Sequence, residues 1–222
     1  MASTYTTNTG LEKPGTGEQS GTWGDTTNTN FDIIDQATNG IVAITISAKG
    51  SSGSPNSLPI TNGALSNGRN RFIEFVDGGD LGGTVFVQLD PNDAEKVVHV
   101  RNSLSGSRSI LIFQGTYNAS NDFELVAGKD YTLKFNGGGS GATVTDVNNN
   151  LAVTALTASG EIIAASLDIS GNIDVDGTTN LDVVDIDGAV NMATTLAVTG
   201  IVTLTDDLII GDGKTIGSAS DV

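Results

Sequence analysis

The chain has 222 residues, a formal net charge of −16 and no cysteine, and only 5 % of its residues are aromatic. The length allows one or two domains, and an apolar content of 37 % argues against one large core but also against disorder. The acidic balance disfavours nucleic-acid binding, which needs clustered Lys and Arg, and the lack of cysteine excludes disulfides and thiolate chemistry.

Residues 1–40 predict an extended N-terminal arm followed by a short helix. Residues 1–25 are rich in Thr, Gly and Asn and show no apolar periodicity, which is typical of an extended arm. The helix is predicted to begin at a cap, Asn28 or Thr27, with Asp32 in its first turn, and to stop at Gly40. About ten residues of helix are marginal alone in water, so this helix must pack on something else.

Three apolar side chains of this segment are candidates for docking a partner. Phe31, Ile34 and Ala37 recur at i, i+3 and i+6 of the predicted helix, and Trp23 is isolated in the Gly-rich arm. An aromatic residue in such an arm often anchors in a pocket of a partner, although it can also pack on its own helix. We predict partner docking through Trp23, Phe31 and Ile34.

Residues 41–147 predict a small antiparallel β-sandwich. Short β-type runs alternate with turns every ten or so residues, as is typical of a sandwich or barrel. The runs are IVAITISA, RFIEFV, TVFVQL, KVVHVRN, SILIFQ, DFELV and DYTLKF. Residues 137–150 (GGGSGATVTDVNNN) indicate a linker that leads into a third domain, residues 148–222.

The third domain repeats a short sequence motif that ends in or contains glycine, as in LDISG, IDVDG and LAVTG. The glycines fall at 160, 171, 177, 188, 200 and 211, and short regular repeats indicate an elongated β-structure built by stacking. Within each repeat apolar and acidic residues alternate, as Leu167 and Ile169 do with Asp168. A thin single chain cannot bury these side chains, so we expect an intertwined homotrimeric shaft, with a single-chain β-solenoid as the alternative.

We expect no catalytic, cofactor or metal site, and no membrane insertion. His99, the one histidine, lies in a strand-like run, and Gly213-Lys214-Thr215 lacks the upstream glycine of a phosphate-binding loop. The Asp pairs of the repeats are expected to be solvated, although cations could bind between acidic rows in a trimer. The first residues have no basic and apolar regions of a signal peptide, and no apolar run approaches about 18 residues.

Three stretches resemble bacteriophage tail fibres and related virion appendage proteins of the marine and cyanobacterial phage type. The first runs from Tyr5-Thr6-Thr7-Asn8 through GEQSGTWGDTTNTNFDIIDQATNG, and the second is KVVHVRNSLSGSRSILI followed by VAGKDYTLKFNGG. The third is the LDISG/LAVTG repeat with LIIGDGKTIGSASDV. The resemblance implies an N-terminal part that docks on the phage tail, a baseplate or an adaptor, and a trimeric distal shaft. Distal parts of such fibres bind glycan or protein on the host surface.

We therefore expect a structural, non-enzymatic virion protein, the proximal part of a trimeric tail fibre. It would be located in the virion tail after assembly in the host cytoplasm. Two alternatives remain open. A tailspike enzyme that degrades polysaccharide would need a long grooved β-helix rich in aromatics, yet no aromatic residue follows Phe135. A bacterial trimeric surface adhesin would need a secretion signal and a membrane anchor.

Overall fold

A computed structural model describes residues 2–149, 151–164, 166–193 and 195–212, and within these ranges the protein is mainly β with one α-helix. Residues 213–222, which include the end of the predicted shaft and the Gly213-Lys214-Thr215 motif, lie outside the described residues. The chain divides into two units, Met1–Thr157 and Ala158–Val222. The first unit therefore contains the residues of the predicted arm, helix and sandwich together.

The N-terminal arm is folded into a hairpin and is not extended. Strands β1, Thr4–Tyr5, and β2, Glu12–Lys13, pair antiparallel. The loop between them is closed by the Gly10 amide, which donates to the Thr6 carbonyl at 2.9 Å, and by the Leu11 amide, which donates to Thr6 Oγ1 at 2.8 Å. Gly10 has φ 60°, which a glycine adopts without strain. Hydrogen bonds of Thr6, Gly10 and Leu11 thus close this hairpin. Such bonds need no apolar periodicity in the sequence, so the pattern of residues 1–25 does not reveal them.

Helix α1, Trp23–Asn39, is 17 residues long and begins before the predicted caps Thr27 and Asn28. Asp25 occupies the first turn, where Asp32 was expected, and it faces the positive end of the helix dipole. Thr27 Oγ1 donates to the Trp23 carbonyl at 2.9 Å, which is a bond of the helix interior rather than a cap. Polar residues that favour caps are therefore tolerated here inside the helix.

The end of α1 is the predicted one, but its packing face is not the predicted apolar stripe. Gly40 follows the helix and donates its amide to the Gln36 carbonyl at 2.9 Å. Ile33 is fully buried, whereas Phe31 and Ile34 are exposed and Ala37 is half-buried. The helix packs on the first unit through the side that carries Ile33.

Nine further strands form two sheets. The strands of the first sheet are β3 Ile41–Ile46, β5 Phe72–Asp77, β7 Glu95–Asn102, β10 Asp130–Asn136 and β11 Val144–Asp146, in the order β11-β10-β7-β5-β3. The strands of the second sheet are β4 Asn56–Pro59, β6 Val85–Asp90, β8 Ile110–Gln114 and β9 Phe123–Leu125, in the order β4-β6-β8-β9. Side chains of both sheets share one hydrophobic core, which makes the arrangement a sandwich.

The sheets are mixed, so the prediction of an antiparallel sandwich is corrected. From β3 to β8 the chain crosses to the other sheet at every step, and β3–β5, β5–β7, β4–β6 and β6–β8 pair parallel. The antiparallel pairs of the sandwich come later, at β7–β10, β10–β11 and β8–β9. A run–turn–run pattern does not show whether a turn returns to the same sheet or crosses to the opposite one.

Two of the nine strands in the sandwich, β4 and β11, lie where no strand was predicted. Strand β11 lies in the predicted linker, where Val144 is buried and pairs with Phe135 of β10. Strand β4 lies at the edge of its sheet and ends at Pro59, which lacks an amide donor and suits an edge position. Short edge strands with one buried side chain leave too weak a pattern to be recognised.

The second unit contains no helix and no strand among its described residues, and all of these residues are exposed. Its backbone bends at the Ser-Gly, Asp-Gly and Thr-Gly steps that end at glycines 160, 171, 177, 188 and 200. The regularly spaced glycines of the repeats therefore coincide with bends of the backbone. Over residues 158–164, 166–193 and 195–212 the strand pairing of the predicted shaft is not seen in the single chain.

Candidate functional site: two apolar surfaces

The first candidate surface is the helix stripe, which we define as Trp23, Phe31 and Ile34 of α1. Their exposed fractions are 67 %, 62 % and 43 %. At about 100° of rotation per residue, the three positions fall within an arc of about 80° on the helix. The structure thus places all three predicted docking residues on one exposed face.

Polar bonds from the helix to neighbouring segments hold this stripe in place. The Glu12 amide donates to Asn30 Oδ1 at 2.9 Å, and Asn30 Nδ2 donates to the Glu12 carbonyl at 2.8 Å. The Ser66 amide donates to Gln36 Oε1 at 3.1 Å. Together with buried Ile33 these bonds fix the rotation of the helix about its axis. A fixed stripe loses little conformational entropy when a partner binds it.

A buried arginine and a half-buried lysine connect the hairpin to the core. Arg69 is 1 % exposed, its guanidinium donates to the carbonyls of Ala64 and Thr61, and it lies directly under Gly10 of the hairpin. Lys96 Nζ donates to the Arg69 carbonyl at 2.9 Å. Burial, with the charges of Arg69 and Arg71, lowers the pKa of Lys96 to about 8.

This cluster was missed by sequence reasoning. No ion pair to either cation occurs among the described residues, and Arg69 Nη1 has no hydrogen-bond partner there. A cavity of about 170 Å³ adjoins the two side chains and is lined in part by Asn8, Thr9 and Glu95. The sequence around Arg69, a polar segment with Gly68 before it and Asn70 after it, is too common to predict a buried arginine.

The described residues give no support to acid–base chemistry. His99 is exposed on β7, and its Nδ1 lies 3.0 Å from Thr132 Oγ1, without an acid to orient the ring. Hydrogen bonds from Arg108 and from the Gly82 amide lower the pKa of Asp80 to about 2, so this carboxyl stays ionised. Within the described ranges no group of three or more His, Asp or Glu residues could hold a metal ion.

The second candidate surface is the set of aliphatic side chains in the second unit. Every described residue of this unit is exposed, and the aliphatic ones reach 93 % exposure at Ile201. The acids Asp168, Asp174 and Asp185 lie among them and are exposed as well. A folded chain that leaves so many neighbouring aliphatic side chains in water presents an interaction surface.

Comparison with known proteins adds no relative: no family model, no curated protein and no solved structure matches this chain. Across the described part of the chain, no helix is both long and apolar enough to cross a membrane.

Proposed function

We propose that this protein is a structural component of a bacteriophage virion, the proximal part of a homotrimeric tail fibre. The first unit docks on the tail, a baseplate or an adaptor protein, and the second unit forms the shaft. The shaft presents distal parts that bind glycan or protein on the host surface. The observation that carries the proposal is that every described residue of the second unit is exposed, although this unit is rich in Val, Ile and Leu.

The amount of exposed surface supports burial against further chains. The chain exposes 15609 Å², whereas a compact monomer of 22.6 kDa exposes about 9500 Å². The difference is several times the roughly 800 Å² that each partner buries in a standard protein interface. Sister copies of the same chain supply a neighbour along the whole length of the repeats, and a closed ring of copies leaves no free strand edge.

The helix stripe supports docking by the first unit. Aromatic residues are enriched among the residues that dominate binding energy, and Trp23 and Phe31 are held on a helix that buried Ile33 and the Asn30–Glu12 bonds fix to the first unit. Three copies of the stripe in one trimer would bind a symmetric tail partner with avidity. The role of the protein is then mechanical, and no enzymatic step is proposed for it.

Incorporation into phage particles tests the proposal. The variant carries Trp23→Ser, Phe31→Ser and Ile34→Ser, and the control carries Val97→Ser, an exposed apolar residue of β7 outside the stripe. Deletion of residues 1–40 is less informative because it also removes buried Ile33 and the Asn30 bonds to Glu12. Particles produced in infected cells are purified, and the protein is quantified by mass spectrometry.

We expect at least a tenfold loss of the triple variant from particles and normal incorporation of the control. Stripe side chains buried at an interface contribute more than 1 kcal/mol each at hot spots, which corresponds to several-fold in affinity per residue. Equal incorporation of both variants would show that the stripe is not the docking surface. Absence of the wild-type protein from particles would refute the virion assignment itself.

A further inference from the structure

The second unit has a shorter period than its glycines show. Nine triplets begin at residues 162, 167, 173, 179, 184, 190, 196, 202 and 208, so that successive triplets start five or six residues apart. The third residue of every triplet is apolar, and so is the first residue of every triplet except Thr179. The seven triplets from 167 to 204 are each followed directly by a bend in the backbone. The repeating element is thus an extended triplet and a bend.

The exposed fractions divide the aliphatic side chains into three sets. Side chains at third positions are the least exposed, between 41 % and 63 %, and form what we call the inner row. First positions are between 56 % and 76 % exposed. Aliphatic residues outside both positions are between 87 % and 93 % exposed, and we call them the outer aliphatics. The inner row is Ile169, Val175, Leu181, Ile186, Met192, Val198, Leu204 and Ile210, and the outer aliphatics are Ile163, Val183, Ile201 and Ile209.

The acids avoid the inner row. Asp168, Asp174 and Asp185 are middle residues of triplets, and the other described acids of this unit lie outside the triplets. An identical chain laid along the inner row therefore meets no like charge, whereas one laid against the middle positions would bring acid against acid. This distribution of charge fits a second copy of the same chain. It does not fit a basic partner, which would be attracted to the acidic sides.

We infer that the inner row is the surface on which sister copies of the second unit pack around a common axis, with the outer aliphatics facing away from it. The inference rests on the proposed trimer and specifies its contact. Single chains cover the inner row by about half, and neighbouring copies complete its burial. The triplet period places one apolar side chain at the axis every five or six residues, so that the contact is continuous along the unit.

Two substitutions of the same chemistry, three residues apart, test the inference on the full chain. Val198→Asp places a carboxylate in the inner row, and Ile201→Asp places one at the most exposed outer aliphatic. We expect the wild-type chain and Ile201→Asp to sediment as trimers at micromolar concentration. We expect Val198→Asp to associate at least 100-fold more weakly, because each trimer would bury three unpaired carboxylates.

Two further measurements exclude a general folding defect. All aromatic residues lie at or before Phe135, so near-ultraviolet circular dichroism reports on the first unit and should be unchanged in both variants. A third variant, Val198→Leu, keeps an apolar side chain at this position of the inner row and should form the same trimer as the wild-type chain. A wild-type trimer that Val198→Asp leaves intact, or that Ile201→Asp disrupts instead, would overturn the inference. A wild-type monomer would overturn the proposed trimer itself.

Discussion

At the scale of single residues, buried amides join the two sheets of the first unit. Asn102, at the end of β7, is fully buried, and its Nδ2 donates to the carbonyls of Arg108 at 2.9 Å and Leu125 at 2.8 Å. Its Oδ1 accepts the Leu104 amide at 3.0 Å. One side chain thereby satisfies two carbonyls and one amide, which would otherwise be buried without partners.

Replacement of the Asn102 amide by a carboxylate tests whether its hydrogen bonds stabilise the first unit. Asn102→Asp removes both donated bonds and turns an oxygen toward two carbonyl oxygens, so we expect the free energy of unfolding to fall by about 3 kcal/mol or more. Asn149→Asp, at an exposed position, should change it by less than about 0.5 kcal/mol. Urea unfolding followed by near-ultraviolet circular dichroism measures both. Equal midpoints for the two variants would contradict the assigned role.

At the scale of elements, helix α1 shows how a neighbour selects the buried face. By spacing, Phe31 and Ile34 form as good a packing face as any, yet the helix packs on the rest of the first unit through Ile33. The hairpin is tied to the helix as well, because the backbone of Glu12 donates to and accepts from the side chain of Asn30. Phe31 and Ile34 stay exposed.

Substitution of the adjacent residues Ile33 and Ile34 tests which side of the helix packs on the first unit. Ile33→Ala removes a fully buried side chain and should cost about 2–4 kcal/mol in the docking of the helix. Ile34→Ala, at a residue 43 % exposed, should cost less than about 1 kcal/mol. Amide hydrogen exchange of α1 measures how stably the helix is packed on the rest of the first unit. Similar exchange rates in the two variants would mean that the helix does not pack through Ile33.

At the scale of the whole molecule, the two units differ in how they obtain stability. The first unit has its own core, drawn from both sheets, with fully buried residues such as Ile73 and Leu133. The second unit exposes every described residue, and in the proposed trimer its apolar surface leaves water when sister chains bind it. Stability that comes from association depends on the concentration of the chain, whereas stability from an internal core does not.

Limited proteolysis at two concentrations distinguishes these cases. Elastase suits the test because it cleaves after small aliphatic residues, and residues 158–212 contain no Lys or Arg. We expect the second unit to be digested at nanomolar concentration and protected at tens of micromolar, and the first unit to be resistant at both. Cleavage follows the population of the open state. A second unit that is protected equally at both concentrations would contradict dependence on sister chains.

Local patterns in the sequence predict the mainly β character, the position of the larger strands, the stop of α1 at Gly40 and the glycine-punctuated repeats. These features depend on neighbours a few residues apart, and local periodicity records such neighbours. Contacts between distant segments produce the parallel pairing of strands such as β3 and β5, the packing of α1 through Ile33, and the burial of Arg69. Each of these depends on groups distant in sequence, and the pattern of one segment does not record which distant segment will lie against it.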